Sequence, residues 1–123
     1  MSTVAVDNLQ PAAGGTSFGI GGVAKAWASW THTTTSALLD SLNVTSLVDN
    51  GTGNTTINIT NAFTGADWGV VGASYNGAGG GHFLGADTAT AQAASIIRWQ
   101  SMSHAGSNGD SPKSYMAGHG DLA

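Results

Sequence analysis

The stretch NVTSLVDNGTGNTTINIT (residues 43–60) has the pattern of two β-strands joined by a tight turn. Valine, leucine and isoleucine recur on both sides of a polar segment that contains Asn50, Gly51 and Gly53. Asn-Gly between β-rich runs is a strong short-range hairpin signal, because both residues tolerate the positive φ of a tight turn. We therefore predict an antiparallel hairpin here, with its turn at Asn50, Gly51 and Gly53.

Further short apolar runs, separated by glycine, serine and asparagine, continue this pattern through the chain. Residues 36–42 form an apolar run too short to assign, and the Ala- and Thr-rich residues 87–94 fit a helical turn. The spacing of short strands and turns indicates an all-β domain over residues 21–123, a small antiparallel β-sandwich that is jelly-roll-like. Besides the hairpin, strands are predicted at residues 23–31, 68–75, 82–84, 94–102 and 113–118.

Residues 1–20 are predicted to form an extended N-terminal docking arm. Val4 and Val6 alternate with other residues, Leu9 continues the apolar content, and the sequence PAAGG then breaks the pattern. A segment this short does not fold alone, so it either pairs with a sheet edge or inserts into a partner protein. A disordered tail is the alternative.

The composition points to assembly. Only 8% of the 123 residues are charged and glutamate is absent, whereas an average chain has about 25% charged residues. A surface of hydroxyls, amides and backbone fits a protein that meets other subunits over much of its area. The net charge of −4 and the lack of a basic patch argue against nucleic acid as a partner. There is no signal-peptide pattern and no long apolar run, so we expect synthesis in a cytoplasm and no membrane insertion. Cysteine is also absent, so stability does not depend on redox state.

No residue pattern indicates catalysis. The four histidines lack metal-ligand spacing, and the glycine-rich residues 76–81 lack the Lys-Ser/Thr ending of a phosphate loop. No Gly-x-Ser-x-Gly nucleophile motif occurs, and the aspartates mostly fall in turns. We expect no enzymatic activity, no catalytic residue, no metal and no cofactor. A histidine that binds a metal between subunits at a symmetry axis is the alternative.

Aromatic residues are the remaining candidates for binding. All four tryptophans fall on predicted strands and are expected in the core, although polar neighbours make Trp30 and Trp99 the better candidates for a subunit interface. Aromatic side chains next to a flexible loop suit contact with sugars or partner surfaces. Three such residues flank residues 76–81 and are candidates for receptor contact: Tyr75, His82 and Phe83.

Three segments of the chain have distinctive sequences: STVAVDNLQPAAGG (residues 2–15), AKAW (24–27) with DSLNVTSLVDNGTG (40–53), and YMAGHGDLA (115–123). Together they resemble a family of small β domains on tailed-bacteriophage virions, found in tail fibres and related appendages of marine and cyanobacterial phages. The first segment is like the fibre anchor, the second is like the most recognisable part of the family, and the third is like its closing strand. Two departures from that family's pattern occur: Leu38 and Leu39 stand where it has Ile-Arg, and residues 55–57 lack its aromatic residue.

The resemblance implies a non-enzymatic structural protein, commonly a homotrimer, whose localisation is the virion. Because the chain has the arm and one domain without shaft repeats, we expect a short tail-fibre or appendage protein, docked by its N-terminal arm to other phage virion proteins. The alternatives are a capsid decoration or head-fibre protein, and a tip module that contacts a host surface glycan during host attachment.

Overall fold

In a computed structural model, residues 8–9, 18–19, 23–75, 82–87 and 89–123 are described, and they contain strands but no helix. The strands are short and are separated by turns, as the glycine- and serine-rich sequence between them indicates. In chain order they are β1 (Asn8–Leu9), β2 (Phe18–Gly19), β3 (Ala26–Thr31), β4 (Ala37–Leu42), β5 (Val44–Asp49), β6 (Asn54–Ile59), β7 (Gly69–Tyr75), β8 (His82–Ala86), β9 (Ile96–Ser103) and β10 (Lys113–His119).

Eight of these strands form two four-stranded antiparallel sheets. The first sheet has the order β4-β3-β10-β7 and the second sheet has the order β5-β6-β9-β8, while β1 pairs only with β2. The first and last strands of this pair of sheets, β3 and β10, are neighbours. The predicted small antiparallel β-sandwich is therefore confirmed, with the eight strands in two layers that a jelly roll also has.

The predicted hairpin is β5 and β6. Its connection is closed by the Asn50 amide, which donates to the Asn54 carbonyl at 2.9 Å, and by the Asn54 amide, which donates to Gly51 at 2.8 Å. Positive φ occurs at Gly51 (101°) and at Gly53 (69°). A Cβ at Gly53 would also lie 2.6 Å from the Ser101 carbonyl oxygen, so this position needs glycine both for its conformation and for space.

Most other predicted strands coincide with β3, β7, β8, β9 and β10, with shifted ends. The unassigned residues 36–42 contain β4. The predicted helical turn over 87–94 is wrong, because residues 87 and 89–94 form turns and a β-bridge between Ala93 and Ile96. The Ala93 amide donates to Ile96 at 3.0 Å, so the bridge satisfies backbone groups that a helical turn would otherwise pair.

The apolar core lies between the two sheets. Trp30 and Trp99 are 0% and 3% exposed, so the prediction that they lie in the core is confirmed and the alternative of a subunit interface is wrong, whereas Trp27, also expected in the core, is only half-buried. Alternate residues of a strand face opposite sides of a sheet, so their polar neighbours point outward while the two indoles point inward. The Trp99 indole donates to the Met116 sulfur at 3.4 Å. The buried apolar set is Ala26, Ala28, Trp30, Ile57, Ile59, Phe63, Trp68, Ile97, Trp99 and Met116.

Asn43 forms the corner at which the chain passes from the first sheet to the second. Its φ is 58°, a left-handed conformation that asparagine adopts more readily than most residues. Its side chain donates to the carbonyls of Lys25 and Asn61, both at 3.1 Å, and accepts the Asn61 amide at 2.7 Å. These bonds fix the edge strands β4 and β5 on the same side of the sandwich.

Candidate assembly surface

The two outer faces of the sandwich have different chemistry. In the first sheet, even-numbered residues of β3 and β10 point into the core, so the odd-numbered residues point outward. The strand register aligns Leu42, Trp27, Ala117 and Val71 in one row across all four strands. We call the outward side chains of this sheet the apolar face: Trp27, Ser29, Asp40, Leu42, Val71, Ala73, Tyr75, Lys113, Tyr115 and Ala117.

Several large apolar side chains of this face are open to solvent. Val71 is 63% exposed, Tyr75 is 59% exposed and Leu42 is 50% exposed. A shallow groove of about 310 Å³ runs between Val71, Ala73, Tyr115 and Ala117, almost without polar atoms. Exposed apolar side chains grouped in this way make the face a candidate for contact with another molecule.

The outer face of the second sheet is polar at its centre, while its edge strands carry the exposed Val48 and Phe83. Its central strands present Asn54, Thr56 and Asn58 beside Arg98 and Gln100. The Arg98 guanidinium pairs with the Asp87 carboxylate at 2.7 Å. Amides, hydroxyls and a neutralised charge suit a face that water covers, so the two sides of the sandwich are not equivalent.

The three candidates for receptor contact do not share one face. Tyr75 is outward on the first sheet, whereas Phe83 is opposite Met102 on the second sheet and points outward there. His82 points between the sheets, and its Nδ1 lies 3.3 Å from the Ser101 hydroxyl. Contact of Tyr75 or Phe83 with a glycan stays a prediction, which substitution of each by alanine would test separately.

A buried polar cluster fills one end of the space between the sheets. The Trp30 indole donates to His32 Nε2 at 2.7 Å. His32 Nδ1 lies 3.0 Å from the Thr55 hydroxyl and 3.1 Å from the Ser36 hydroxyl. Burial lowers the pKa of His32, although the carboxylate of Asp110 acts in the opposite direction. The ring is therefore neutral at pH 7.

The tautomer of His32 limits what this cluster does chemically. Because Nε2 accepts the Trp30 N–H, the hydrogen of the neutral ring is assigned to Nδ1. A protonated Nδ1 donates to Ser36 or Thr55, so it does not take a proton from either hydroxyl. The pair of Ser36 and His32 thus lacks the arrangement of a base beside a nucleophile. The cluster closes the end of the core.

A second polar chain lies beside this cluster. The Ser74 hydroxyl is 3.2 Å from the Ser101 hydroxyl and 3.1 Å from the Ser114 hydroxyl. The Ser111 hydroxyl donates to the backbone carbonyls of Tyr75 and Lys113. Small hydroxyls that bond one another allow the two sheets to approach closely at this end without unpaired polar groups.

Other candidate sites give no chemistry. In the part of the chain that the structure describes, no group of three or more His or Asp side chains could hold a metal, and no helix is long and apolar enough to cross a membrane. A cleft of about 320 Å³ lies beside Asp67 and Asp121. Its aromatic residues, Phe63 and Trp68, are stacked on each other at 4.3 Å, so their faces are not offered to a ligand.

Most of the predicted docking arm, residues 1–20, lies outside the described residues. Val4 and Val6 lie outside the described residues, and Leu9 belongs to β1, where it pairs with Phe18. Docking by the arm therefore stays a prediction from the sequence.

The residues of the apolar face were not predicted from the sequence. The sequence of β7 contains one indication of this face. Val70 and Val71 are both apolar and the neighbouring residues are small, so the sequence does not identify either side of the strand as the one that faces water. That pattern shows that both sides of a strand are apolar, but it does not show which strands lie side by side. Only the register joins Leu42, Trp27 and Val71 into one surface.

No family model matches this chain, and the searches of curated proteins and of solved structures found no match either. The resemblance to phage appendage domains therefore rests on the residues of the chain alone.

Proposed function

We propose that this protein is a non-enzymatic structural component of a tailed-phage virion, a short tail-fibre or appendage protein that acts by assembling with other virion proteins and with copies of itself. The observation that carries this proposal is the apolar face. Monomeric soluble proteins rarely expose a contiguous apolar patch larger than a few hundred Å². Here exposed apolar side chains lie on three strands of one sheet, β4, β10 and β7, and the half-buried Trp27 of β3 lies between them; Leu42, Val71 and Tyr75 are each at least half exposed.

The low charge of the chain supports the same function. A protein that is free in solution is usually covered by about 25–35% charged residues, whereas this chain has 8%. In the described part of the chain the charges are also spread thinly, with one ion pair between Arg98 and Asp87. Such a surface suits permanent contact with neighbouring subunits.

The N-terminal arm supplies the attachment in this proposal. Val4, Val6 and Leu9 dock residues 1–20 onto another virion protein, and the sandwich projects from that point. This part rests on the alternating sequence of the arm and on its likeness to the fibre anchor.

The test is whether the protein is a stoichiometric part of purified particles. We expect mass spectrometry of washed particles to detect the full chain, and deletion of residues 2–10 to remove it from particles while the free protein remains folded by circular dichroism. Absence of the full chain from washed particles would overturn the proposal. Gold labelling of intact particles separates a tail appendage from a capsid decoration or head fibre.

A further inference from the structure

We propose that the apolar face is the contact between neighbouring copies of this chain, with the β4–β3 half of one copy packed against the β10–β7 half of the next. This inference deepens the proposed assembly function and rests on it. It names the surface, the partner and an ion pair that forms only between two copies, Asp40 with Lys113.

The β10–β7 half of the apolar face contains a groove that the β4–β3 half of another copy can enter. The groove of about 310 Å³ has Ala73 and Ala117 among its lining residues, with the larger Val71 and Tyr115 beside them. The β4–β3 half presents Leu42 and Trp27 next to each other in register. In a contact between the two halves, these side chains lie against the groove, where apolar atoms meet apolar atoms.

The charges of the face are also divided between the halves. Asp40 is on β4 and Lys113 is on β10, and both point outward. The ion pair between Arg98 and Asp87 involves neither of these residues, and neither Asp40 nor Lys113 has an ionic partner among the described residues. When the β4–β3 half of one copy meets the β10–β7 half of another, the carboxylate and the ammonium approach each other.

The positions of these two groups fit that contact. The Asp40 carboxylate accepts only the neighbouring Ser41 amide, at 2.8 Å. The Lys113 ammonium is 5.4 Å from the centre of the Tyr115 ring, which holds it above the face. Asp40 and Tyr115 are in the same row of the register, and Lys113 is two residues, about 7 Å, further along its strand. The long lysine side chain spans such an offset.

The area of the face is that of a small contact between copies. Four strands about 4.8 Å apart, each about 20 Å long, give a flat projection of about 400 Å² for each copy. Two copies together then cover about 800 Å² before the relief of the side chains is added, which brings the total towards the ~1,000 Å² of a specific interface.

Half-on-half contact closes into a dimer. A two-fold axis parallel to the strands places β4–β3 of each copy on β10–β7 of the other, so the two faces oppose each other and the contact is complete. The apolar side chains of the first sheet are then removed from water, and the outer face of the second sheet stays outside.

The first experiment measures the mass of the full chain by analytical ultracentrifugation, with Val71→Asp and its matched control Val48→Asp. Val48 is 45% exposed and lies on the outer face of the second sheet, opposite Thr56. We expect a discrete dimer for the wild type and for Val48→Asp, and a folded monomer for Val71→Asp. A wild-type monomer at about 50 μM, or dissociation by both variants alike, would overturn the inference.

The second experiment reverses the charges. Like charges placed opposite each other at an interface repel, so Asp40→Lys alone and Lys113→Asp alone should each weaken association by about tenfold or more. The double variant D40K/K113D restores the pair with its charges exchanged, and we expect it to recover the wild-type mass. If the double variant is as dissociated as the single variants, the ion pair between copies is refuted.

The two proposals fail separately. Self-association is measured with the isolated full chain, whereas the virion function is measured with particles. A monomer that is still found in particles would leave the virion function standing and remove only the contact between copies. An oligomer that is absent from particles would do the reverse.

Discussion

Gly118 lies where β10 crosses the apolar core, and replacing it by alanine tests the packing of the sandwich directly. The residue is paired with Ala26 on one side and with Val70 on the other, in the middle of the first sheet. A Cβ at this position would lie 2.6 Å from Cζ3 of Trp68 and 3.4 Å from Cζ of Phe63. Its φ is not in the left-handed region, so alanine meets a steric conflict and no backbone strain.

The neighbours of this Cβ have little freedom to move away. The Trp68 indole donates to the Ala93 carbonyl at 2.9 Å, and its ring is stacked on Phe63 with an angle of 8° between the planes. Inserting an extra group into such a site costs about 1–3 kcal/mol, and the smaller entropy of the unfolded chain returns about 0.4–1 kcal/mol. We expect Gly118→Ala to lower the free energy of unfolding by about 1–2 kcal/mol, or about 5–10 °C in Tm.

The assay is urea unfolding followed by tryptophan fluorescence and circular dichroism. Gly85→Ala is the matched control, because a Cβ there would meet only Met102 Cε, at 3.9 Å. We expect this control to be as stable as the wild type or slightly more stable. A Gly118→Ala variant with wild-type stability and an unchanged m-value would refute the packing argument.

Three further predictions concern the stability of variants at His32, Asp49 and Gly53. Burial holds the pKa of His32 below 6.5, so the neutral ring stabilises the fold above that pH. Below it, the free energy of unfolding falls by up to about 1.4 kcal/mol per pH unit. Urea unfolding at pH 7.5 and 5.5 should show a smaller fall in this free energy for His32→Gln than for the wild type, and an equal fall would contradict the burial of a neutral ring. Backbone amides of Ser36 and Gly51 lower the pKa of Asp49, so its carboxylate stabilises the fold above pH 3.8 and loses that effect as the pH falls through the lowered pKa. Asp49→Ala should therefore be less stable than the wild type at pH 7, and the difference in stability between the two should shrink in an acid titration. Gly53→Ala combines a φ of 69° with a Cβ 2.6 Å from the Ser101 carbonyl, and we expect a loss of about 2–4 kcal/mol in the same urea assay.

The local features of the fold were predictable because they depend on neighbouring residues. The turn at Gly51 and Gly53 follows from the conformational freedom of glycine between two β-rich runs, and the structure has both residues at positive φ. The helical turn over 87–94 failed because alanine propensity is weaker than the pairing of Ala93 with Ile96. Local propensity decides such segments only where no nearby strand competes for the backbone.

Inferences about which side of a strand faces the core were less successful. Trp30 and Trp99 have polar neighbours in the sequence, which suggested an interface, yet both indoles are in the core. Trp27, three residues from Trp30, is the indole that faces outward, in register with Leu42 and Ala117. Alternation separates the two sides of a strand, but it does not say which side will be covered.

The hairpin of residues 43–60 and the all-β class are determined by the sequence itself, since turn chemistry and short apolar runs act over a few residues. The apolar face is decided only by the tertiary structure. Leu42 and Val71 are 29 positions apart in the chain, and they share a row because β3 and β10 lie between their strands. Strand order depends on contacts between distant segments, so a surface that crosses four strands emerges only when the sheet has formed.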